Sequence, residues 1–291
     1  MDQHGSDALG PYGLWIPGQV WPDDPKEIAG AAREIQELGY GALWIGGSPG
    51  DDLRLAEEIL AATDTLVVGT SIVNIWDADG DRLAASHARI QRGGRFYLGI
   101  GAGHAPTARA HGREYTQPLT RLRELLTGPL AGVPAGERMI AALGPKALRT
   151  AAELTAGALP YLMPPAHTAD ARGILGSGPL LVPEQKVFLG TDPAVARRAG
   201  RAGLKIYLPL PNYTRQLLRY GLAEADLAGE GSDRLVDSAV VWGDGARVRA
   251  GIDAHLNAGA DHVAVQVLVA SGRPTTLPRE EWRQLAAALF R

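Results

Sequence analysis

The chain has 291 residues, of which 45% are hydrophobic and 21% are charged, a composition typical of soluble globular proteins. Its net charge of −3 argues against a nucleic-acid-binding protein, because such proteins usually carry a basic face. The absence of cysteine excludes disulfides, thiolate metal ligands and cysteine nucleophiles. Residues 1–10 contain no signal-peptide-like apolar segment and no apolar run is as long as a membrane span, so we expect a cytoplasmic protein that does not bind membranes.

Short apolar runs alternate with amphipathic helical patterns along the whole chain. Most of these runs are continuously apolar, as expected for parallel strands that are covered on both faces. A helical pattern separates nearly every run from the next, which indicates a repeated strand–helix unit. Eight runs are predicted to be strands: Gly13–Pro17, Ala42–Gly46, Leu66–Asn74, Phe96–Gly103, Arg138–Gly144, Ala158–Met163, Gln185–Thr191 and His262–Leu268.

The first helical pattern, residues 25–38, carries its own start and stop signals. Its apolar residues recur at three- and four-residue spacing, so they fall on one face of a helix. Asp24 can cap the helix, Pro25 suits its first turn, and Gly39 suits its end. Glycines that tolerate a left-handed helix end occupy the same place before three later strands, at Gly93-Gly94, Gly157 and Gly259.

Eight strand–helix units favour closure into a single (β/α)₈ TIM barrel, an α/β fold, over an open doubly wound sheet, which stays the alternative. We treat residues 1–291 as one domain. The regular alternation is interrupted in residues 192–259, a helical insertion between strands seven and eight. Because barrel active sites are built from the loops that follow the strands, we expect this insertion to cover the C-terminal mouth. A helical decoration that packs outside the barrel is the other interpretation.

Two strands end in residues that suit a ligand at this mouth. The third strand ends in Ser71-Ile72-Val73-Asn74, and the fourth contains Gly101 and Gly103 followed by His104. The glycines would let a flat ligand approach the backbone, although they do not form the G-x-G-x-x-G dinucleotide fingerprint. A histidine at this place could be an acid–base catalyst or a hydrogen-bonded structural residue.

The fifth strand leads through Gly144-Pro145-Lys146 into a helix. Pro145 suits the first helical turn, and the free N–H groups after it, together with Lys146, would suit a phosphate. The local sequence by itself favours a plain turn that starts a helix, because such turns are common. No metal site is predicted, since the seven histidines form no H-x-H or H-E-x-x-H pattern.

Several sequence blocks together carry a family resemblance. They are residues 39–45 (GYGALWI), 74–76 (NIW), 93–96 (GGRF), 103–106 (GHAP), 142–146 (ALGPK), 210–213 (LPNY) and 231–237 (GSDRLVD). With them the chain resembles the bacterial-luciferase-like flavin and deazaflavin oxidoreductases, and most closely the branch that uses coenzyme F420. The resemblance covers nearly the whole chain, from residues 12–15 to residues 262–268.

The resemblance implies a cofactor site at the mouth of the barrel. The third strand would carry a non-prolyl cis peptide bond, here Ser71–Ile72, behind the ring of the cofactor. Asn74, Gly101 and Gly103 would lie beside that ring. The turn Gly144-Pro145-Lys146 would receive the phosphate-bearing tail of the cofactor. The resemblance therefore favours a phosphate site at this turn over a turn that only starts a helix.

The substrate would lie over the exposed face of the ring, next to Trp15, Trp76 and Tyr213. Trp15 and Trp76 could equally be core residues. His104 is the predicted acid–base group, because the chain has no cysteine and its second strand ends in Gly46-Gly47-Ser48, without an ionisable side chain.

We therefore expect an oxidoreductase that transfers hydride between coenzyme F420 and a small organic substrate. By analogy with the family alone, we expect a homodimer. One alternative keeps the fold but uses FMN and oxygen as a two-component monooxygenase. An alternative of another class is a degenerate barrel that binds a cofactor or metabolite without redox turnover, and its support is the empty end of the second strand.

Overall fold

The computed structural model describes residues 9–91, 94–110 and 112–291. Within these residues, eleven strands form one sheet in which the pairings between strands are all parallel. The strands are β1 (Tyr12–Pro17), β2 (Ala42–Gly46), β3 (Val67–Ser71), β4 (Val73–Asn74), β5 (Phe96–Gly101), β6 (Arg138–Ile140), β7 (Gly157–Ala158), β8 (Leu180–Leu181), β9 (Glu184–Leu189), β10 (Val240–Gly243) and β11 (Val263–Val267).

Helices surround this sheet and connect its strands. They are α1 (Pro25–Glu37), α2 (Arg54–Ala62), α3 (Gly80–Ile90), α4 (Ala105–Ala110), α5 (Pro118–Thr127), α6 (Pro145–Leu154), α7 (Pro165–Leu175), α8 (Pro193–Leu204), α9 (Pro211–Arg219), α10 (Glu224–Leu227), α11 (Asp233–Ala239), α12 (Gly245–Asn257) and α13 (Arg279–Phe290). In the part of the chain that the structure describes, no helix has both the length and the apolar character needed to cross a membrane.

The strands follow the order β10-β9-β11-β1-β2-β3-β5-β6-β7-β8, and β4 continues β3 along β5. β8 and β9 belong to one segment, with only Val182 and Pro183 between them. The Val182 N–H donates to the carbonyl oxygen of Ala158 at 3.0 Å, and the Ala264 N–H donates to that of Pro183 at 3.0 Å. This segment therefore has a strand on each side and closes the ring. The predicted TIM-barrel fold is confirmed, and the open sheet is wrong.

The local signals of the first helix act as the sequence predicts. The Asp24 side chain accepts a hydrogen bond from the Lys26 N–H at 2.9 Å, and Pro25 is the first residue of α1. Gly39 ends the helix with a φ of +96°. The apolar face of α1 is buried against the barrel.

The prediction of a left-handed helix end is correct for some of the other glycines and wrong for one. Gly94 and Gly259 have φ values of +66° and +98°, as expected for left-handed helix ends. The prediction is wrong for Gly157, which lies within β7 and has no left-handed φ. A Cβ at Gly157 would lie 2.0 Å from the carbonyl oxygen of Leu180, so close approach of two strands requires this glycine. Gly93 lies outside the described residues.

Several strands are shorter than predicted. The fourth ends at Gly101, the fifth at Ile140, and the sixth already at Ala158 rather than Met163. The apolar residues of 159–163 are buried, but they pack against the cavity and the insertion instead of pairing as a strand. An apolar run predicts burial, and it does not by itself distinguish a buried loop from a strand.

The insertion, residues 192–259, has two parts with different positions. α8 to α11 form a second apolar cluster that includes Tyr207 and Tyr213 and borders the mouth. β10, which the sequence did not indicate, pairs with β9 on the side opposite β11, and α12 packs on β9, α7 and α13. The first part therefore contributes residues to the cavity, and α12 of the second part packs among the helices around the sheet.

Candidate active site

A cavity of about 330 Å³ lies at the C-terminal ends of the barrel strands. Its walls come from the strand ends and from the first part of the insertion. The lining residues are Trp15, Gln19, Gly47, Ser48, Ser71, Ile72, Asn74, Gly103, His104, Thr107, Ala141, Leu159, Tyr161, Ile206, Tyr207, Tyr213 and Arg273. A second cavity of about 300 Å³, beside α1 and α2, contains none of the predicted site residues.

The cavity brings together most of the predicted site residues from distant parts of the chain. Those that line it are Trp15, Ser71, Ile72, Asn74, Gly103, His104 and Tyr213. Those that do not line it are Gly101, Trp76, Gly144, Pro145 and Lys146.

The end of β3 forms one wall of the cavity. The Ser71–Ile72 peptide bond is cis, as predicted. The Trp15 indole Nε1 donates to the carbonyl oxygen of Ser71 at 3.3 Å. A Cβ at Gly101 would lie 2.8 Å from Cγ1 of Ile72. Gly101 is therefore behind the wall, where it leaves room for the Ile72 side chain.

The residues at the end of β2 are small because side chains from other segments fill the space next to them. A Cβ at Gly46 would lie 1.9 Å from the Trp15 ring, and a Cβ at Gly47 would lie 2.4 Å from the amide of Gln19. Ser48 accepts a hydrogen bond from the Asn74 N–H at 3.2 Å. The second strand thus contributes no ionisable group to the cavity, as its sequence indicates.

Asn74 connects the end of β4 to the end of β5. Its Nδ2 donates to Asp77 at 2.9 Å, and its Oδ1 accepts from the Trp76 N–H at 3.2 Å. Gly103 has a φ of +53°, and a Cβ there would lie 2.5 Å from Oδ1 of Asn74. Both the backbone conformation and the close approach therefore require glycine at position 103.

Trp76 supports the mouth from outside the cavity. Its buried indole Nε1 donates to the carbonyl oxygen of Ala102 at 2.7 Å. Its ring packs against Tyr115, and the guanidinium of Arg121 lies 4.8 Å from its centroid. Trp76 therefore holds the loop between β5 and α4.

The turn at Gly144-Pro145-Lys146 starts α6, with Pro145 as the first helical residue, as predicted. The Lys146 side chain is exposed, and a Cβ at Gly144 would meet no atom within 4 Å. The turn lies outside the cavity lining, but Ala141, three residues earlier, belongs to it. It is therefore close in sequence to the cavity rim and open to solvent.

His104 lies on the wall of the cavity and faces Tyr213 from the insertion. The two ring centroids are 5.3 Å apart, and Nε2 of His104 is 3.5 Å from the Tyr213 hydroxyl. Burial lowers the pKa of His104 below its ordinary value, and a hydrogen bond with Asn212 partly opposes this shift. His104 is therefore neutral at neutral pH and can accept a proton.

The other histidines that the structure describes have structural partners. His262 accepts a hydrogen bond from the Trp44 indole at 3.1 Å, and burial lowers its pKa to about 4. His255 lies between Thr168 and Gln185, and its pKa is also lowered to about 4, mainly by burial. Among the described histidines, only His104 lines the cavity. In the described ranges, no cluster of three metal-ligating side chains exists.

The sequence did not single out a tyrosine cluster at the cavity. The hydroxyls of Tyr161 and Tyr207 are 2.5 Å apart, and the Tyr161 hydroxyl donates to Oε1 of Gln266 at 2.9 Å. The Lys186 ammonium lies 4.0 Å from the centroid of the Tyr161 ring, a cation–π contact.

Lys186 and Glu184 form a buried ion pair next to this tyrosine cluster. Their side chains are 0% and 2% exposed, and the Lys186 Nζ lies 2.9 Å from Oε1 of Glu184. Burial lowers the pKa of Lys186 and raises that of Glu184, while the opposite charge of each partner acts against the shift. Two residues of opposite charge at alternate positions of one strand were the signal in the sequence, because side chains at alternate positions point to the same face.

The amino-acid sequence was compared with models of known protein families. Residues 4–127 match the family model of luciferase-like monooxygenases. This match covers less than half of the chain, and over that range the chain is similar to luciferase-like proteins. This confirms the resemblance that the sequence blocks indicated, and the matched range includes the strand ends around Ser71 and His104.

One curated relative aligns with part of this chain. It is the 5,10-methylenetetrahydromethanopterin reductase of Methanolobus tindarius, which is 30% identical over 123 residues. The alignment covers 40% of this chain and 37% of the reductase, so it spans little more than a third of the relative.

Solved structures share the fold over nearly the whole of this chain. The coenzyme F420 dependent tetrahydromethanopterin reductase from Methanopyrus kandleri has a TM-score of 0.70 at 17% identity, over 96% of this chain and 98% of that chain. The oxygenating constituent of 3,6-diketocamphane monooxygenase from Pseudomonas putida, a complex with FMN, has a TM-score of 0.68 at 14% identity. That match covers 96% of this chain and 98% of the monooxygenase chain. At these identities the likeness concerns the fold.

Proposed function

We propose that this chain is an oxidoreductase that binds a flavin or deazaflavin, and specifically coenzyme F420, and transfers hydride to or from a small organic substrate. The observation that carries the proposal is the cavity at the strand ends of a luciferase-like barrel, with Ile72 on one wall and His104 on another. The Methanolobus tindarius relative and the Methanopyrus kandleri structure are both reductases by name, and the second is named as dependent on coenzyme F420, which favours F420 here.

The lining of the cavity suits a flat heteroaromatic ring. Its volume of about 330 Å³ falls in the range of pockets that bind small molecules. Ile72 would lie against one face of the ring, and Trp15 and Tyr161, whose ring centroids are 5.4 Å apart, would bound its edge. Gln19 and Ser48 offer polar groups at the rim. A volume of this size holds a ring system, so the tail of the cofactor would extend beyond the cavity.

A bound deazaflavin supplies the hydride chemistry, and the residues of this chain orient the reactants and manage the proton. His104 would accept or return a proton at the heteroatom beside the reacting carbon, because burial keeps its imidazole neutral. Tyr207 and Tyr213, both at least 90% buried, bring the insertion against the cavity and would limit the access of water to it.

We expect coenzyme F420 to bind at least about tenfold more tightly than FMN, a free-energy difference of roughly 1.4 kcal/mol. The reasons are the branch resemblance in residues 103–106 and 210–213 and the reductase likeness. Fluorescence titration of the purified protein with each cofactor measures both affinities. Equal or reversed affinities would instead support the FMN-dependent monooxygenase.

The same titration, followed by turnover assays on alcohols, aldehydes and imines, tests the remaining alternative. Tight binding of F420 with no oxidation or reduction of any member of this panel would support a barrel that binds cofactor without turnover.

The turn at Gly144 would receive the phosphate-bearing tail of the cofactor. We expect Gly144→Leu to weaken F420 binding about tenfold or more while the fold is kept, because a side chain there meets no atom within 4 Å. Gly136→Leu is the matched control, since it has the same free space but lies before β6 at the other end of the barrel. Equal affinities for F420 in the two variants would show that the tail lies elsewhere.

We also propose that the enzyme is a cytoplasmic homodimer that acts on small molecules and binds neither nucleic acid nor membranes. The dimer rests on the family resemblance alone. The lack of cysteine and the net charge of −3 support the compartment and the absence of a nucleic-acid partner.

A further inference from the structure

Arg273 gives the cavity a positive charge that has no role in the proposed hydride transfer. It follows β11 in the chain and lines the cavity with the tyrosines of the insertion. In the described part of the lining, Arg273 is the only residue with a permanent charge, and no carboxylate accompanies it. The wall that carries it is therefore electropositive.

A tight turn holds the backbone of Arg273 in place. Val269 and Gly272 exchange two backbone hydrogen bonds, of 2.9 and 2.7 Å. Gly272 has a φ of +105°, and a Cβ there would lie 2.4 Å from Cβ of Ala202 in α8. The turn thus packs closely on the insertion. This packing fixes the backbone of Arg273 at the mouth.

The charge of Arg273 has no partner within the described chain. Its Nε is buried and makes no hydrogen bond, and no carboxylate lies within ion-pair distance of its guanidinium. Lys186, the nearby cation, is already neutralised by Glu184 at 2.9 Å. A partly buried guanidinium with a desolvated, unpaired N–H group is energetically unfavourable unless an anion accepts a hydrogen bond from it.

The field of Arg273 acts on the groups around the cavity. Burial raises the pKa of Tyr207 to about 12, while the hydrogen bond between Tyr207 and Tyr161 and the charge of Arg273 both oppose that rise. Burial also lowers the pKa of Lys186, and the positive charge of Arg273 adds to that decrease. The guanidinium therefore faces the same polar cluster that borders the cavity.

We propose that Arg273 binds an oxyanion, a carboxylate or a phosphate, that belongs to the substrate. A planar guanidinium offers two parallel N–H donors that match such a group, and this geometry fixes the orientation of the bound molecule. The aromatic rings of Tyr207 and Tyr213 suit the apolar part of the same molecule. The substrate class is then small organic acids or phosphate esters, and this assignment rests on the proposed function of the cavity.

Calorimetric titration of the protein without cofactor tests the site, with benzoate and its neutral isostere benzamide as probes. We expect benzoate to bind at least about tenfold more tightly than benzamide, because only the carboxylate can form a charge-assisted hydrogen bond with the guanidinium. Arg273→Gln should weaken benzoate binding by a similar factor and leave benzamide within about twofold. Arg198→Gln, which removes an exposed arginine of α8 outside the cavity, should change neither affinity.

Two results overturn the proposal. One is a failure of the benzoate test: either the native protein binds benzoate and benzamide with equal affinity, or the Arg273→Gln and Arg198→Gln variants bind benzoate equally well. The comparison of the variants requires that both have the melting temperature of the native protein. The other comes from FMN and riboflavin, which differ in a phosphate. If Arg273→Gln abolishes a preference for FMN over riboflavin and leaves benzoate binding unchanged, the oxyanion belongs to the cofactor.

The experiment also separates this site from the proposed function. If neither F420 nor FMN binds the native protein while benzoate binding still depends on Arg273, the oxidoreductase assignment is wrong and the oxyanion site stands. If F420 binds and is turned over while benzoate binding ignores Arg273, the site is wrong and the oxidoreductase stands.

Discussion

Replacing His104 with asparagine is expected to lower turnover by about two to four orders of magnitude, the range typical of general acid–base catalysis. Among the described residues, His104 is the only histidine that lines the cavity, and the cavity offers no cysteine or carboxylate as a substitute. The affinity for F420 should change much less, because the proposed ring contacts come from Ile72 and Trp15. Turnover is measured on the first substrate that the panel of alcohols, aldehydes and imines identifies.

The pH profile distinguishes a catalytic His104 from a structural one. Burial places the pKa of His104 below 6.5, so its base form is present at neutral pH and is lost as the pH falls through that lower pKa. In the direction in which His104 accepts a proton, kcat/KM should therefore decrease as the pH falls through that lowered pKa. In the asparagine variant this acidic limb should disappear.

Thr107→Val is the matched control for the His104 variant. Thr107 lies one helical turn further along α4 and lines the same cavity, so its replacement alters the wall without removing an acid–base group. Its turnover should stay within about tenfold of the native value. If the asparagine variant also stays within a few-fold of native turnover and keeps the acidic limb, His104 is not the proton-transfer group.

Replacing Lys186 with methionine is expected to lower the free energy of unfolding by about 3–5 kcal/mol. The variant keeps the length of the side chain but removes the ammonium that pairs with Glu184 at 2.9 Å. Glu184 would then remain buried at 2% exposure, with the Leu162 N–H as its remaining described donor, at 3.1 Å. Urea unfolding followed by circular dichroism measures the loss.

The double variant Lys186→Met/Glu184→Met tests whether the loss comes from an unpaired charge. Replacement of a buried ion pair by apolar residues of similar volume is often neutral or stabilising, so the double variant should recover most of the lost stability. Glu153→Gln, which breaks an exposed pair with Arg123, should cost less than about 1 kcal/mol. A cost of that small size for Lys186→Met as well would show that water reaches the buried pair.

Much of the barrel follows from signals that lie close together in the sequence. The strand Ala42–Gly46 has the predicted bounds, and the cap at Asp24, the first turn at Pro25 and the end at Gly39 all act as expected. These features are predictable because apolar periodicity, capping groups and glycine conformation act over a few neighbouring residues. The number of strand–helix units then determines closure, since eight parallel strands fill a barrel.

The candidate site was only partly predictable for the same reason. Ser71 and Asn74 end strands, and Gly103 and His104 come shortly after one, so their position at the mouth follows from the strand assignment. The resemblance further indicated the cis bond at Ser71–Ile72, which the structure contains. Trp76 illustrates the limit, because its place at a strand end does not reveal that its ring turns away from the cavity and packs on Tyr115.

Only the tertiary structure brings together the polar and charged groups in and next to the cavity. Tyr161, Lys186, Tyr207 and Arg273 come from four separate segments, and each looks ordinary within its own segment. The ring closure through residues 180–189 and the packing of α8 against the turn at Gly272 place them around one space. The sequence by itself therefore determined the barrel and the residues at its strand ends, because those depend on local pattern. The insertion that borders the mouth and the unpaired guanidinium depend on contacts between distant segments, and only the folded chain decides them.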